Sequence, residues 1–284
     1  MLLVNSENLY LIVIGLIWIV GAVLQDLKRR EVDNLWNFSL IAFVLAYRAG
    51  VSVYNQDVWF LINGILGLII FLFLGNLFYY SRLFAGGDAK LLIALGPILP
   101  LSYNWIINFK IIGLFVLLFL IMGSVYVLFW AMVLVIENRK DFIKEFKLQW
   151  KDYNKLFLIF LGFSIVLGVV MILLVNFVFG ISLALVFLSF PILFVFSKAV
   201  EESCMKTAMT PEELTEGEWL YEDITVAGKK IKADWEGVSK EELDLIQKKY
   251  KKKILIKKGI PFTPGFLLAF CSLLILFWKY SVFF

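Results

Sequence analysis

The chain has 284 residues, of which 61% are hydrophobic, 17% aromatic and only 18% charged, with a formal net charge of +4. A soluble domain carries roughly a quarter charged residues, so the bilayer is the natural solvent for most of this chain. There is no histidine, and the two cysteines, Cys204 and Cys271, lie far apart; Ser–His and Cys–His catalysis, histidine zinc sites and a disulfide framework are thereby excluded.

The start, MLLVNSENLYLIVIGLIWIVGAVLQDLKRR, lacks a basic leading stretch and a small-x-small cleavage site. It reads as a permanent first span rather than a secretory signal. Apolar runs of spanning length occupy 8–25, 35–54, 58–80, 111–136, 156–176, 181–197 and 261–278. A shorter run, 89–100, is too brief to span upright and is counted as an eighth crossing. The expected fold is therefore an all-α polytopic membrane protein of about six to eight transmembrane helices, with a small α+β cytoplasmic module inserted before the last one. Its expected organisation is a transmembrane core over 1–136, a basic loop over 137–155, a transmembrane hairpin over 156–197, a soluble module over 198–260 and a last span over 261–284. Within the module, WLYEDITVAGKKIKADW reads as a short hairpin and SKEELDLIQKKYKKK as a helix capped near Ser239.

The basic residues set the orientation. With the loops after segments one, three, five and seven placed inside, and Lys90 counted with the third-segment loop it adjoins, only Arg48, Lys110 and Lys279 of the 27 Lys and Arg fall elsewhere. The N-terminus is then outside, and the basic residues follow the anionic inner leaflet, which makes membrane lipid a partner and leaves no need for nucleic acid.

On this topology two acids reach the same, cytoplasmic edge. Asp26 ends the first span, and Asp88 lies in LFAGGDAKLL. Two carboxylates that share a proton can activate water and polarise a scissile carbonyl together. Gly86 and Gly87 give backbone freedom before Asp88 and allow close approach of an extended substrate, while Lys90 could orient or compensate a carboxylate. Each feature also has a plain structural reading: Asp26 before Lys-Arg-Arg resembles any helix end entering cytoplasm, and Gly-Gly-Asp is a common turn. Asp33-Asn34 looks like a helix N-cap, and Asn63 and Asn76 look like interhelical hydrogen-bond partners.

DLKRREVDN after the first span, GGDAK opening a later segment and GIPFTPGFLLAF at the last span together resemble the type IV prepilin and preflagellin peptidases, the archaeal branch in particular. The soluble stretch before IPFTP resembles that branch too. The resemblance implies removal of a short basic leader from pilin-like or archaellin precursors, cut on the cytoplasmic side just before a hydrophobic helix. It places the two catalytic aspartates on Asp26 and Asp88, with the family's GxGD motif on Ala85-Gly86-Gly87-Asp88, so alanine replaces the first glycine. Where bacterial members show Pro-Asn, this chain has Asp33-Asn34, which makes Asp33 a lesser rival for the first aspartate and Asn34 a supporting residue. It lacks the cysteine pairs of bacterial relatives and any nucleotide loop, so cleavage without N-methylation is expected, with no cofactor or metal. A presenilin-like protease would need Tyr-Asp inside a span and Pro-Ala-Leu near the end, neither of which occurs. A transporter would need charges midway along spans; a scaffold would leave the aspartates dispensable.

Overall fold

A computed structural model describes residues 6–234 and 237–279. The chain forms a helical polytopic membrane protein with nine described helices and two small antiparallel sheets. Six of those helices are long and apolar enough to cross a membrane: α1 (Ser6–Arg29), α2 (Asn34–Tyr54), α3 (Trp59–Tyr80), α5 (Trp105–Glu137), α6 (Arg139–Leu174) and α7 (Phe177–Cys204). Helix α9 (Thr263–Lys279) is apolar but only 17 residues long. Helix α4 (Gly86–Leu95) has ten residues. The described chain divides into two compact units: residues up to Phe129 together with those from Ile260, and residues Trp130–Gly259.

In the first unit α1 packs on α2 and α9, and α4 packs on α2 and α3. Between helices surrounded by lipid, apolar burial supplies little drive, so close packing and internal polar bonds hold the bundle. Its middle is a run of interlocked rings, Phe71, Phe84, Phe115, Phe119, Phe262, Phe266 and Phe270, with Phe119 and Phe266 centroids 4.4 Å apart. Small residues let backbones meet: a Cβ on Gly67 of α3 would strike the Gly96 carbonyl and Pro100, and one on Gly96 would lie 2.9 Å from the Gly67 carbonyl.

Segment 89–100, counted as a crossing, is broken in two. The helical part is about 15 Å long at 1.5 Å per residue, half the hydrocarbon core. Gly96-Pro97 and Pro100 end it, because proline lacks the N–H that would continue the helix. Irregular backbone at membrane depth needs internal partners for its carbonyls. Arg48 of α2 supplies most of them, donating to the carbonyls of Pro97 (2.8 Å), Ile98 (3.4 Å) and Pro100 (2.6 Å), and to that of Phe60 (2.8 Å). Asn8 donates to the Leu101 carbonyl, while Asn63 and Asn108 donate to that of Ser102. Arg48 is fully buried, 0% exposed, and lies over the Phe60 ring at 4.6 Å.

Asn63 behaves as an interhelical partner, accepting from the Trp105 indole at 3.0 Å. Asn76 does not: it is exposed and donates to the Leu72 carbonyl of its own helix. At i−4 that carbonyl is always in reach of a short amide, whatever the neighbouring helices do.

In the second unit α6 and α7 form an antiparallel hairpin, capped where the Asn176 side chain accepts from the Phe179 amide at 2.8 Å and pinned where Ser164 donates to the Ala184 carbonyl at 2.7 Å. The stretch 137–155, expected as a basic loop, is helical almost throughout and forms the opening turns of α6. Its Lys, Glu and Gln residues are good helix formers, and pairs four apart such as Glu145 and Gln149, 3.1 Å, stitch it together. The rest of the unit is small and mixed. Strands β1 (Lys206–Met209), β2 (Trp219–Leu220) and β5 (Ile254–Lys257) form one sheet in the order β1-β5-β2, and β3 (Ile224–Val226) pairs with β4 (Lys229–Ile231). The expected hairpin is therefore shorter than its sequence suggested: Trp219 and Leu220 join the other sheet, and its final residue, Trp235, lies outside the described residues. Helix α8 (Lys240–Lys249) starts at Ser239 with both halves of a capping box.

Candidate functional site

The last turn of α1 carries Lys28 and Arg29 outward and Asp26 inward. Asp26 is 7% exposed, an unusual position for a carboxylate without a compensating partner. That partner comes from α9. Both the backbone amide and the hydroxyl of Thr263 donate to Asp26 Oδ2, at 3.1 and 2.9 Å. Thr263 opens α9, where the first amides have no helical acceptor. Pro264 has no N–H, and the Gly265 amide is taken by the Phe262 carbonyl at 2.9 Å. Helix α9 reaches this position because Gly265 lies against Gly123 of α5, where a Cβ would meet the Gly123 Cα at 3.1 Å.

Asp88 is the third residue of α4 and half-buried. Its carboxyl takes a hydrogen bond from the Ala85 backbone and lies within range of the Asp26 charge. The two acids, 62 positions apart in sequence, thus lie at the same end of the bundle, where the charge of Asp26 acts on the Asp88 carboxyl. Gly86 and Gly87 form the first turn of α4 with ordinary helical backbone; nothing lies within 4 Å of a Cβ built on Gly87, and only the Tyr79 ring, at 3.9 Å, approaches one on Gly86. The feature these glycines contribute is open space beside Asp88. Lys90, two residues on, donates to the Asn34 side chain at 2.7 Å, tying the start of α2 to α4.

Asp33 occupies the N-cap position of α2 but makes no side-chain cap. Its carboxylate pairs instead with Arg29 at 2.6 Å on the surface. Sequence reading did not single out three residues of this end. Thr263 lies 237 positions from Asp26, and nothing local marks it. Tyr126 of α5 is half-buried and within range of the charges of Asp26 and Arg30. Asn37 of α2 is 1% exposed, and neither its amide oxygen nor its nitrogen has a hydrogen-bond partner among the described residues. A polar residue near the start of a span was a signal that could have found it. Among the described residues, no three His, Cys, Asp or Glu side chains gather as metal ligands.

A buried acid whose charge reaches a second acid beside open backbone is an arrangement suited to general acid–base chemistry on a peptide bond. Residues 12–136, which contain both acids, match the family model of the type IV leader peptidase family. The resemblance read from the sequence is borne out over these residues. The chain is 35% identical over 92 residues to the preflagellin peptidase of Methanocaldococcus jannaschii, covering 32% of this chain and 38% of that protein. It is 30% identical over 134 residues to the preflagellin peptidase of Methanococcus maripaludis, covering 44% of this chain and 57% of that protein. The chain thus spans well under two thirds of the length of these curated relatives. No solved structure matches it.

Proposed function

We propose that this chain is a membrane aspartyl endopeptidase that removes the short basic leader of type IV pilin-like or archaellin precursors, without N-methylating the product. The observation that carries the reading is the pair itself: Asp26 and Asp88, on different helices, lie within range of each other's charge at one end of the bundle. The leader-peptidase likeness over 12–136 supports it.

The substrate's apolar helix docks among the spans, with its basic leader at the cytoplasmic surface and the N-terminus of the peptidase outside. One carboxylate takes a proton from water as the oxygen attacks the scissile carbonyl carbon. The other, protonated, gives its proton to the carbonyl oxygen. The tetrahedral diol then collapses: the C–N bond breaks, the leaving nitrogen takes a proton from the first acid, and the second recovers the hydroxyl proton as the carbonyl re-forms. Metal and organic cofactor have no part in these steps. Asn34 and Lys90 fix α2 against α4 beside Asp88, and Gly86 and Gly87 leave room for an extended substrate.

The test is a membrane preparation of the full chain with a precursor that has a Lys/Arg-rich leader, a Gly-ending junction and an apolar helix. Cleavage at the junction, read from the new N-terminus and the absence of an added methyl group in its mass, is the expected result. Intact precursor with well-inserted protein would set this reading aside in favour of a scaffold or transporter.

A further inference from the structure

Asp26 is buried and its charge reaches the half-buried Asp88, so ionising both costs more than ionising one and a single proton between them is favoured. Which one carries it follows from the donors around them. Oδ2 of Asp26 accepts two hydrogen bonds from one residue, the amide and the hydroxyl of Thr263. Each of these donors favours the charged carboxylate over the protonated one. The same oxygen caps the N-terminus of α9, where helix amides are short of acceptors. Asp88 also lies in the first turn of a helix, but it takes a single backbone hydrogen bond, from Ala85.

We propose that Thr263 is a positioning residue that divides the labour of the pair: by holding Oδ2 of Asp26 from two sides it keeps Asp26 as the proton acceptor and leaves the shared proton on Asp88. Asp26 is then the group that activates water, and Asp88 the one that protonates the scissile carbonyl. The assignment of roles rests on the peptidase reading above; the location of the proton does not. Thr263 is 1% exposed and acts through Asp26 rather than on the substrate. The seat of α9 against Gly123, which brings Thr263 into place, involves Gly265 and Phe262 and is independent of the threonine hydroxyl.

The experiment compares the full-length wild type with Thr263→Val, which keeps the amide and the side-chain shape but removes the hydroxyl, and Thr263→Ser, which restores the hydroxyl. Two readouts are taken on each. The first is modification by dicyclohexylcarbodiimide, which attacks protonated carboxyl groups in apolar surroundings, mapped by mass spectrometry of the peptides that contain Asp26 and Asp88. In the wild type Asp88 is the modified acid; in Thr263→Val modification of Asp26 rises severalfold, and in Thr263→Ser it returns to the wild-type level. The second is precursor cleavage: Thr263→Val loses about tenfold to a hundredfold in kcat, the size of one hydrogen bond to a charged group, with KM within about twofold, and Thr263→Ser recovers most of the loss. Modification of Asp26 ahead of Asp88 in the wild type would overturn the proposal, as would a Thr263→Val enzyme that cleaves like the wild type. Absence of cleavage by the wild type together with the expected modification pattern would remove the peptidase reading while leaving the proton on Asp88.

Discussion

At one end of the first unit Arg48 is fully buried and each of its three guanidinium nitrogens meets a backbone carbonyl; at the other, Asp26 and Asp88 bring two acids within range of each other's charge. Fourteen residues of α2 separate Arg48 from Asn34, which contacts the acid end, so roughly 21 Å of helix lies between them. The arginine end is saturated. Its cation neutralises the dipoles of a broken crossing that the membrane could not otherwise hold. The acid end is left incomplete: two acids compete for one proton, Asn37 has no hydrogen-bond partner among the described residues, and the space beside Gly87 is open. A buried charge with each nitrogen bonded belongs to the architecture, whereas polar groups left in conflict are where chemistry is done.

That contrast breaks if the acids turn out to support the fold or the arginine the reaction. The largest expected effect is on cleavage. Asp26→Asn and Asp88→Asn each lower it at least about a thousandfold, while the thermal midpoint in detergent stays about the same, since the amide oxygen of Asp26→Asn still accepts from Thr263 and Asp88→Asn exchanges a neutral acid for a neutral amide. Next comes Arg48→Met, which strands four carbonyls and costs about 3 kcal/mol or more; a fall in thermal midpoint and in the yield of inserted protein reads it out. Arg48→Lys recovers part of this, because one ammonium cannot reach the carbonyls that the planar fork spans. Gly67→Ala sharpens the comparison from between the two ends. Its Cβ wedges α3 from the turn after α4 and costs about 1–3 kcal/mol, with a partial loss of cleavage as Asp88 shifts with its helix. The smallest effect has the opposite sign: Asn37→Leu stabilises by about 1 kcal/mol, since it removes buried polar atoms that nothing among the described residues satisfies. A destabilised Asn37→Leu would mean that this amide is part of the architecture after all.

Much of the helical fold could be read along the chain because lipid-facing helices advertise themselves by long apolar runs, and each of the seven long runs lies within or largely within a helix of 17 residues or more. The parts that could not be read depend on distant partners. The crossing over 89–100 looked merely short; that it is completed by irregular backbone becomes visible only when Arg48, some fifty positions earlier, is seen to bond its carbonyls. The basic stretch 137–155 looked like a loop because charge and low hydropathy suit both a solvated loop and an exposed helix, and helix propensity decides between them. At the acid end, Asp26 and Asp88 stood out by type and by a common membrane side, and Lys90 and Asn34 by proximity in sequence to them. Thr263 was hidden inside IPFTP, which marked the likeness to the leader peptidases without showing that a threonine at the start of the last helix reaches the first.

The most direct measurement is cleavage of one precursor by the wild type, Asp26→Asn and Asp88→Asn in parallel, each at matched levels of folded protein, with the product's N-terminus sequenced. A product cut at the leader junction by the wild type and by neither variant is the expected result. Cleavage by either variant within about tenfold of the wild type, a difference of only about 1.4 kcal/mol, would contradict the assignment of this end of the bundle as the site of chemistry.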